Sequence, residues 1–131
     1  MAQLQSRLSL KLRAIVIALV VFTILHVLLL LAARTFAKSP EDAAAVMPML
    51  NVAAYLVYLV TGLVAGINGR NAPILHGVVA GFLASVIAIV LFGSTEGDPV
   101  GVAVLIANGV IFGGLGGTCS LLFVREARKD N

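Results

Sequence analysis

The stretch TGLVAGINGRNAPILHGVVAG, residues 61–81, decides the fold of this chain. It carries five glycines, at positions 62, 66, 69, 77 and 81, in a segment that is otherwise mostly apolar. Glycines four residues apart lie on one face of a helix, and they let a second helix backbone come close. The polar NGRN in the middle is short enough to join two antiparallel helices. We therefore expect a helical hairpin in which both arms present a small face near the loop.

The composition indicates a membrane protein. Of the 131 residues, 60% are hydrophobic and only 11% are charged, and the mean hydropathy is +1.08. Soluble domains carry about 25% charged residues, and a chain of this size could not bury so much apolar surface in water. A bilayer removes the problem because lipid is itself an apolar solvent. We expect one integral membrane domain over residues 1–131.

Four apolar runs are long enough to cross a bilayer, which takes about 20 residues. They predict spans at about 14–33, 48–67, 73–93 and 99–124. Residues 1–13 form a basic cytoplasmic or interfacial leader, and residues 125–131 form a charged tail. The predicted fold class is all-α: a polytopic membrane protein with four transmembrane helices in a compact bundle packed through glycine-rich faces.

Two helix starts are marked by capping residues. In SPED, residues 39–42, Ser39 precedes Pro40 and two acidic residues, a pattern typical of a helix N-terminus. We expect a short surface helix here that runs into the second span near Pro48. Asp98 before Pro99 predicts a second capped start, for the fourth span.

The basic residues predict the orientation. Seven of them lie in the leader, the loop at Arg70 and the tail, whereas only Arg34 and Lys38 lie on the other side. The positive-inside rule then predicts that both termini lie in the cytoplasm and that the spans cross a bacterial inner membrane. The basic residues flank the spans and form no basic stripe, so we expect no nucleic-acid partner.

Glycine spacing predicts how the spans pack. The second, third and fourth spans each carry GxxxG, whereas the first has none. When depth is counted in residues along each span, all three motifs fall in the cytoplasmic half of the membrane. This favours a tight three-helix core, with the first span packed outside it and largely facing lipid. A cavity for a substrate or lipid is the alternative to plain packing. The glycines are Gly62, Gly66, Gly77, Gly81, Gly109, Gly113 and Gly117.

Polar side chains are few within the spans, and none is Asp, Glu, Lys or Arg. This argues against a proton-coupled pump built on a buried acid. Four polar residues have similar depths in the outer half and form a candidate intramembrane cluster: His26, Tyr55, Tyr58 and Asn108. Their side chains would either form structural hydrogen bonds with one another or line a pathway for a proton or ligand.

Other site chemistry is not indicated. His76 is expected at the cytoplasmic interface beside Arg70, too far from His26 for a shared metal site. The single cysteine, Cys119, allows no internal disulfide. GGLGG at 113–117 lies within a span and lacks the Gly-Lys of a phosphate loop. We therefore expect no catalytic residue, no cofactor and no metal.

The hairpin resembles that of YrzE-like proteins, small four-helix bacterial membrane proteins of uncharacterised function. A helix end rich in Gly and Ala, a short basic loop and LHG followed by a further glycine carry the resemblance. The matching residues are Gly62, Ala65, Gly66, Arg70, Leu75, His76, Gly77 and Gly81. The resemblance implies an integral inner-membrane protein and brings no activity with it.

These observations favour a non-enzymatic role. We expect a structural or accessory subunit in the lipid bilayer that forms a homo-oligomer or binds a larger membrane-protein partner. The alternative is a small transporter or channel with a polar pathway around His26, Asn108, Tyr55 and Tyr58. A lesion-forming protein of the holin kind also fits the size of the chain.

Overall fold

The computed structural model describes residues 10–93 and 98–126, with side chains up to residue 123. It contains four helices in this part of the chain: α1 (Leu12–Phe36), α2 (Pro40–Asn68), α3 (Pro73–Phe92) and α4 (Pro99–Glu126). Each is long and apolar enough to cross a membrane, and the four pack together. The predicted all-α bundle of four membrane helices is confirmed. Most of the predicted leader (1–9) and tail (127–131) lies outside the described residues.

Both capped helix starts are confirmed. The Ser39 hydroxyl accepts a hydrogen bond from the Asp42 N–H at 3.1 Å. The Asp98 carboxylate accepts bonds from the N–H groups of Val100 and Gly101, at 3.1 and 2.9 Å. The first N–H groups of a helix have no partner within it, so these side chains determine where α2 and α4 begin.

The short helix that was expected to run into the second span near Pro48 is continuous with that span. Helix α2 runs unbroken from Pro40 to Asn68, with Pro48 inside it. At 1.5 Å per residue it is about 43 Å long, more than the ~30 Å hydrocarbon core. A proline leaves the carbonyl four residues earlier without its helical partner. Here that carbonyl belongs to Ala44, an exposed residue near the start of the helix.

The α2–α3 hairpin lies in the middle of the bundle. Helix α4 packs against both hairpin helices, and α1 also packs against both. Within the described residues α1 and α4 do not touch, so they lie on opposite sides of the hairpin. The start of α1 is hydrogen-bonded to α3 near the hairpin loop, and the last third of α4 packs against the start of α3. The start of α1, the hairpin loop and the end of α4 therefore share one end of the bundle.

Helix α1 joins the bundle along a single stripe and exposes the rest of its surface. Its buried residues recur at helical spacing: Ala14, Ile15, Ala18, Phe22 and His26. Its exposed side is made of large aliphatic side chains: Val16, Val20, Ile24, Leu28 and Leu31. With no glycine in α1, its contacts with the hairpin are made by side chains.

Candidate functional site

The half of the bundle that holds the α2–α3 loop is built on direct contact between helix backbones. A Cβ atom added at Gly113 of α4 would lie 2.5 Å from the Gly77 carbonyl oxygen and 2.9 Å from the Gly81 Cα of α3. One added at Gly117 would lie 2.6 Å from the Pro73 carbonyl oxygen. Real Cβ atoms do not come this close to backbone atoms, so only glycine fits at these positions. The glycines of α3 and α4 are brought face to face.

The same stretch of α4 also contacts α2. A Cβ at Gly62 would overlap the carbonyl group of Gly113. A Cβ at Gly116, which is outside the GxxxG register, would lie 2.6 Å from the Leu63 nitrogen and 3.0 Å from the Gly62 carbonyl carbon. Gly113 is therefore the point where α2, α3 and α4 all meet. The space between these three helices is filled by their own backbones.

Two fully buried serines extend the small faces. The Ser85 hydroxyl of α3 lies 3.1 Å from two carbonyl oxygens, those of Gly81 on its own helix and Leu105 on α4. A side chain at Gly109 would collide with this hydroxyl, so the glycine makes room for the interhelical bond. Ser120 of α4 occupies the space above Gly66 in the same way. The sequence contains a signal for Ser85, which follows Gly81 by one helical turn, but it was missed.

His26, on α1, lies in an aromatic layer. It is 9% exposed, and its ring centroid is 5.2 Å from that of Phe22 and 4.7 Å from that of Phe92. Within the described residues the structure records no hydrogen bond to its ring. The contacts of this imidazole are therefore aromatic stacking contacts.

Tyr58 completes the layer from α2. Its ring centroid lies 5.3 Å from that of Phe22, and the side chain is only 2% exposed. Its hydroxyl faces the Ser85 hydroxyl, but no hydrogen bond of good geometry satisfies it. This oxygen is buried from solvent, so among the described residues it is a polar atom without a hydrogen bond of good geometry.

The other two predicted residues lie elsewhere. Tyr55 is 37% exposed and stacks on Phe112 of α4, with ring centroids 4.9 Å apart. Asn108 is on α4, which does not touch the helix that carries His26. The structure therefore brings His26 and Tyr58 together through Phe22, and it places Tyr55 and Asn108 on the outer side of the α2–α4 pair. No hydrogen bond joins any two of the four within the described residues.

His76 differs most from its expected environment. It lies near the hairpin loop, three residues beyond Pro73, and it is fully buried there by neighbouring helices. Its Nδ1 donates to the Ala72 carbonyl oxygen at 2.7 Å, and its Nε2 accepts from the Lys11 backbone N–H at 2.8 Å. A Cβ at Gly69 would overlap the imidazole. His76 in its neutral form therefore ties the start of α1 to the hairpin loop, and Gly69 makes the space for it.

These contacts hold the helices together. Within residues 10–93 and 98–123, no group of three His, Cys, Asp or Glu side chains is placed to hold a metal ion. Polar side chains bond mainly to carbonyls of their own helix, as the Thr61 hydroxyl does to Val57 at 2.7 Å. Ser85 and His76, by contrast, take part in hydrogen bonds that join two helices. The residues with the most specific geometry are thus packing residues.

Replacing Gly113 by Ala should destabilise the bundle by about 1–3 kcal/mol, the usual penalty for forcing a methyl group into a filled site. The matched control is Gly114→Ala on the same helix, since a Cβ there would meet only a Val78 methyl group, at 3.2 Å. The measurement is reversible unfolding in mixed micelles. Equal stability of the two variants would contradict the described packing.

Replacing His76 by Leu should loosen the start of α1. We expect amide hydrogen exchange over residues 11–18 to rise about threefold, since an intramembrane hydrogen bond contributes about 0.6 kcal/mol on average. His26→Leu removes the other buried histidine, on α1 itself, and should leave exchange at these amides unchanged. Exchange that is unaffected in the His76 variant would show that the bond to Lys11 does not hold α1.

No protein-family model, curated protein or solved structure matches this chain. The arrangement of its glycines, serines and buried histidine is therefore the basis on which its function is inferred.

Proposed function

We propose that this chain is a small non-enzymatic protein of a bacterial inner membrane that serves as a structural or accessory subunit, associating with itself or with a larger membrane partner. The observation that carries the proposal is the backbone contact at Gly113. A Cβ there would meet α3 at 2.5 Å, so the centre of the three-helix core is filled. A rigid core of this kind suits a protein whose outer surfaces bind other helices.

A transporter or channel has less support. A pathway needs polar groups that follow one another across the membrane. The four candidates are divided instead, with His26 in contact with two phenylalanine rings and Tyr55 partly exposed on the bundle surface. The tight glycine contacts also leave no gap between α2, α3 and α4 in the inner half.

The proposed orientation has both termini in the cytoplasm. Exposed Lys11, Arg13 and Arg70 lie at the end of the bundle that holds the hairpin loop. Exposed Arg34 and Lys38 lie at the other end. The larger number of basic residues at the first end favours that end as the cytoplasmic one. The resemblance of the hairpin to YrzE-like proteins supports an inner-membrane location.

Association should depend on the core and not on His26. We expect native mass spectrometry of protein extracted in mild detergent from its own membrane to show a defined oligomer or a stoichiometric partner. Gly113→Leu should abolish that complex, because the side chain would separate the core helices, whereas His26→Leu should keep it. A monomer that retains a small molecule, with a flux that His26→Leu abolishes, would favour transport instead.

Orientation is tested by labelling with a membrane-impermeant thiol reagent. Single cysteines are placed at position 96 and at position 130 in a Cys119→Ser background. We expect labelling from outside at position 96 and none at position 130 until the membrane is opened. Labelling of position 130 in intact cells would reverse the proposed orientation.

A further inference from the structure

Helix α4 carries a polar side chain with no partner deep in its span. Asn108 is nine residues beyond Pro99, which places it about 13 Å below the outer end of the helix. Its side chain is partly exposed on the bundle surface. No hydrogen bond to its carboxamide is recorded within the described part of the chain. Hydrocarbon offers no hydrogen bonds, so an amide left there is unfavourable by several kcal/mol.

Asn108 belongs to a regular seam on the outer face of α4. Its members alternate by four and three residues, the spacing by which two helices supercoil around each other. They are exposed or partly exposed, with Val104 at 53%, Ile111 at 55% and Leu115 at 48%. The seam lies opposite the glycines that pack on the hairpin. Its residues are Val104, Asn108, Ile111, Leu115, Thr118 and Leu122.

The rest of the seam needs no polar partner. The Thr118 hydroxyl donates to the Gly114 carbonyl oxygen of its own helix at 2.9 Å, and the remaining members are aliphatic. Asn108 is therefore the one seam residue whose side chain requires a hydrogen-bond partner from outside the described chain. A single asparagine among apolar seam positions sets the register and the partner of a helix pair, because a shifted pairing would leave it unsatisfied.

We propose that two copies of the chain pack their α4 helices in parallel along this seam, with the two Asn108 carboxamides hydrogen-bonded to each other across a two-fold axis. A carboxamide has both donor and acceptor, so it complements a second copy of itself. Copies inserted in the same orientation are related by an axis along the membrane normal. Such an axis makes equal residues meet, as in any two-fold interface.

This inference rests on the proposed function. It names the surface through which the chain associates and the partner that it binds. The exposed Asn51 of α2 and the exposed side of α1 do not require such a partner. Asn51 of α2 is also exposed, but it lies three residues from Pro48, near the outer end of the span, where water and lipid headgroups are within reach. The exposed side of α1 around Val20 and Ile24 is aliphatic, and lipid chains suffice to cover it.

The test is energy transfer between copies fused to donor and acceptor fluorescent proteins at the C-terminus, reconstituted in vesicles over a range of protein-to-lipid ratios. We expect reversible self-association, weakened about tenfold by Asn108→Leu through the loss of two intramembrane hydrogen bonds. Asn108→Gln keeps a carboxamide and should retain association. Asn51→Leu, the same change at an exposed asparagine outside the seam, should have no effect.

Cross-linking identifies the face independently. In a Cys119→Ser background, Ile111→Cys should give a disulfide-linked dimer on oxidation. Val90→Cys, at a position on α3 that is 73% exposed, should not. Helical content and elution volume of each variant are checked first, so that a misfolded protein is not mistaken for a dissociated one.

The outcomes separate this inference from the proposed function. Association that Asn108→Leu leaves unchanged, or a cross-link at position 90 and none at 111, would overturn the α4 seam while leaving self-association intact. Absence of association at every density would overturn the inference as well. If extracts of the native membrane then contain a bound partner protein, the proposed accessory role is still supported. If they contain none, the proposed function is overturned as well.

Discussion

The fold depends on direct contact between helix backbones at Gly113. In water, helices are held together by burial of apolar side chains, but a lipid tail is as apolar as leucine and gives little such driving force. Close packing and satisfied polar groups must supply the stability instead. The core reflects this constraint, because its fully buried members include Ala65, Ala80 and Ala84, and its closest contacts are made by glycines. Many large aliphatic side chains face outward, where lipid solvates them.

Polar groups inside the bundle obey the same constraint. Several find a partner on their own helix or on a neighbour, as Thr61 bonds to Val57 and Ser85 reaches Leu105, whereas the buried Tyr58 hydroxyl has none of good geometry among the described residues. His76 uses both ring nitrogens, one on its own helix and one on the start of α1. It is the hydrogen-bonded link between a helix that has no glycines and the glycine-built core.

The two outer helices, α1 and α4, present different exposed faces. The hairpin lies between α1 and α4, so these two outer helices present their free faces in different directions. The face of α1 is aliphatic, and lipid covers it without loss. The face of α4 carries a carboxamide that has no partner among the described residues, and in our proposal a second copy of the chain satisfies it. A filled core suits this role, because an interface is held in register only if the helix that forms it is itself fixed.

The sequence by itself determined what depends on neighbours along the chain. Apolar runs of sufficient length predicted four spans, and Ser39 and Asp98 marked two helix starts that the structure confirms. It also indicated that three helices carry small faces, since glycine spacing is a property of one helix at a time. It also predicted a short helix running into the second span near Pro48, and the structure shows the two as one unbroken helix, α2.

Only the tertiary structure decided which faces meet. Depth along a span suggested that His26 and Asn108 are neighbours, but depth does not report rotation about the helix axis or the order of helices around the bundle. Helices α1 and α4 lie on opposite sides of the hairpin, so the two residues are apart. His76 was expected at the interface for the same reason. Its burial depends on the space above Gly69 and on the start of α1, which is 65 residues away in sequence.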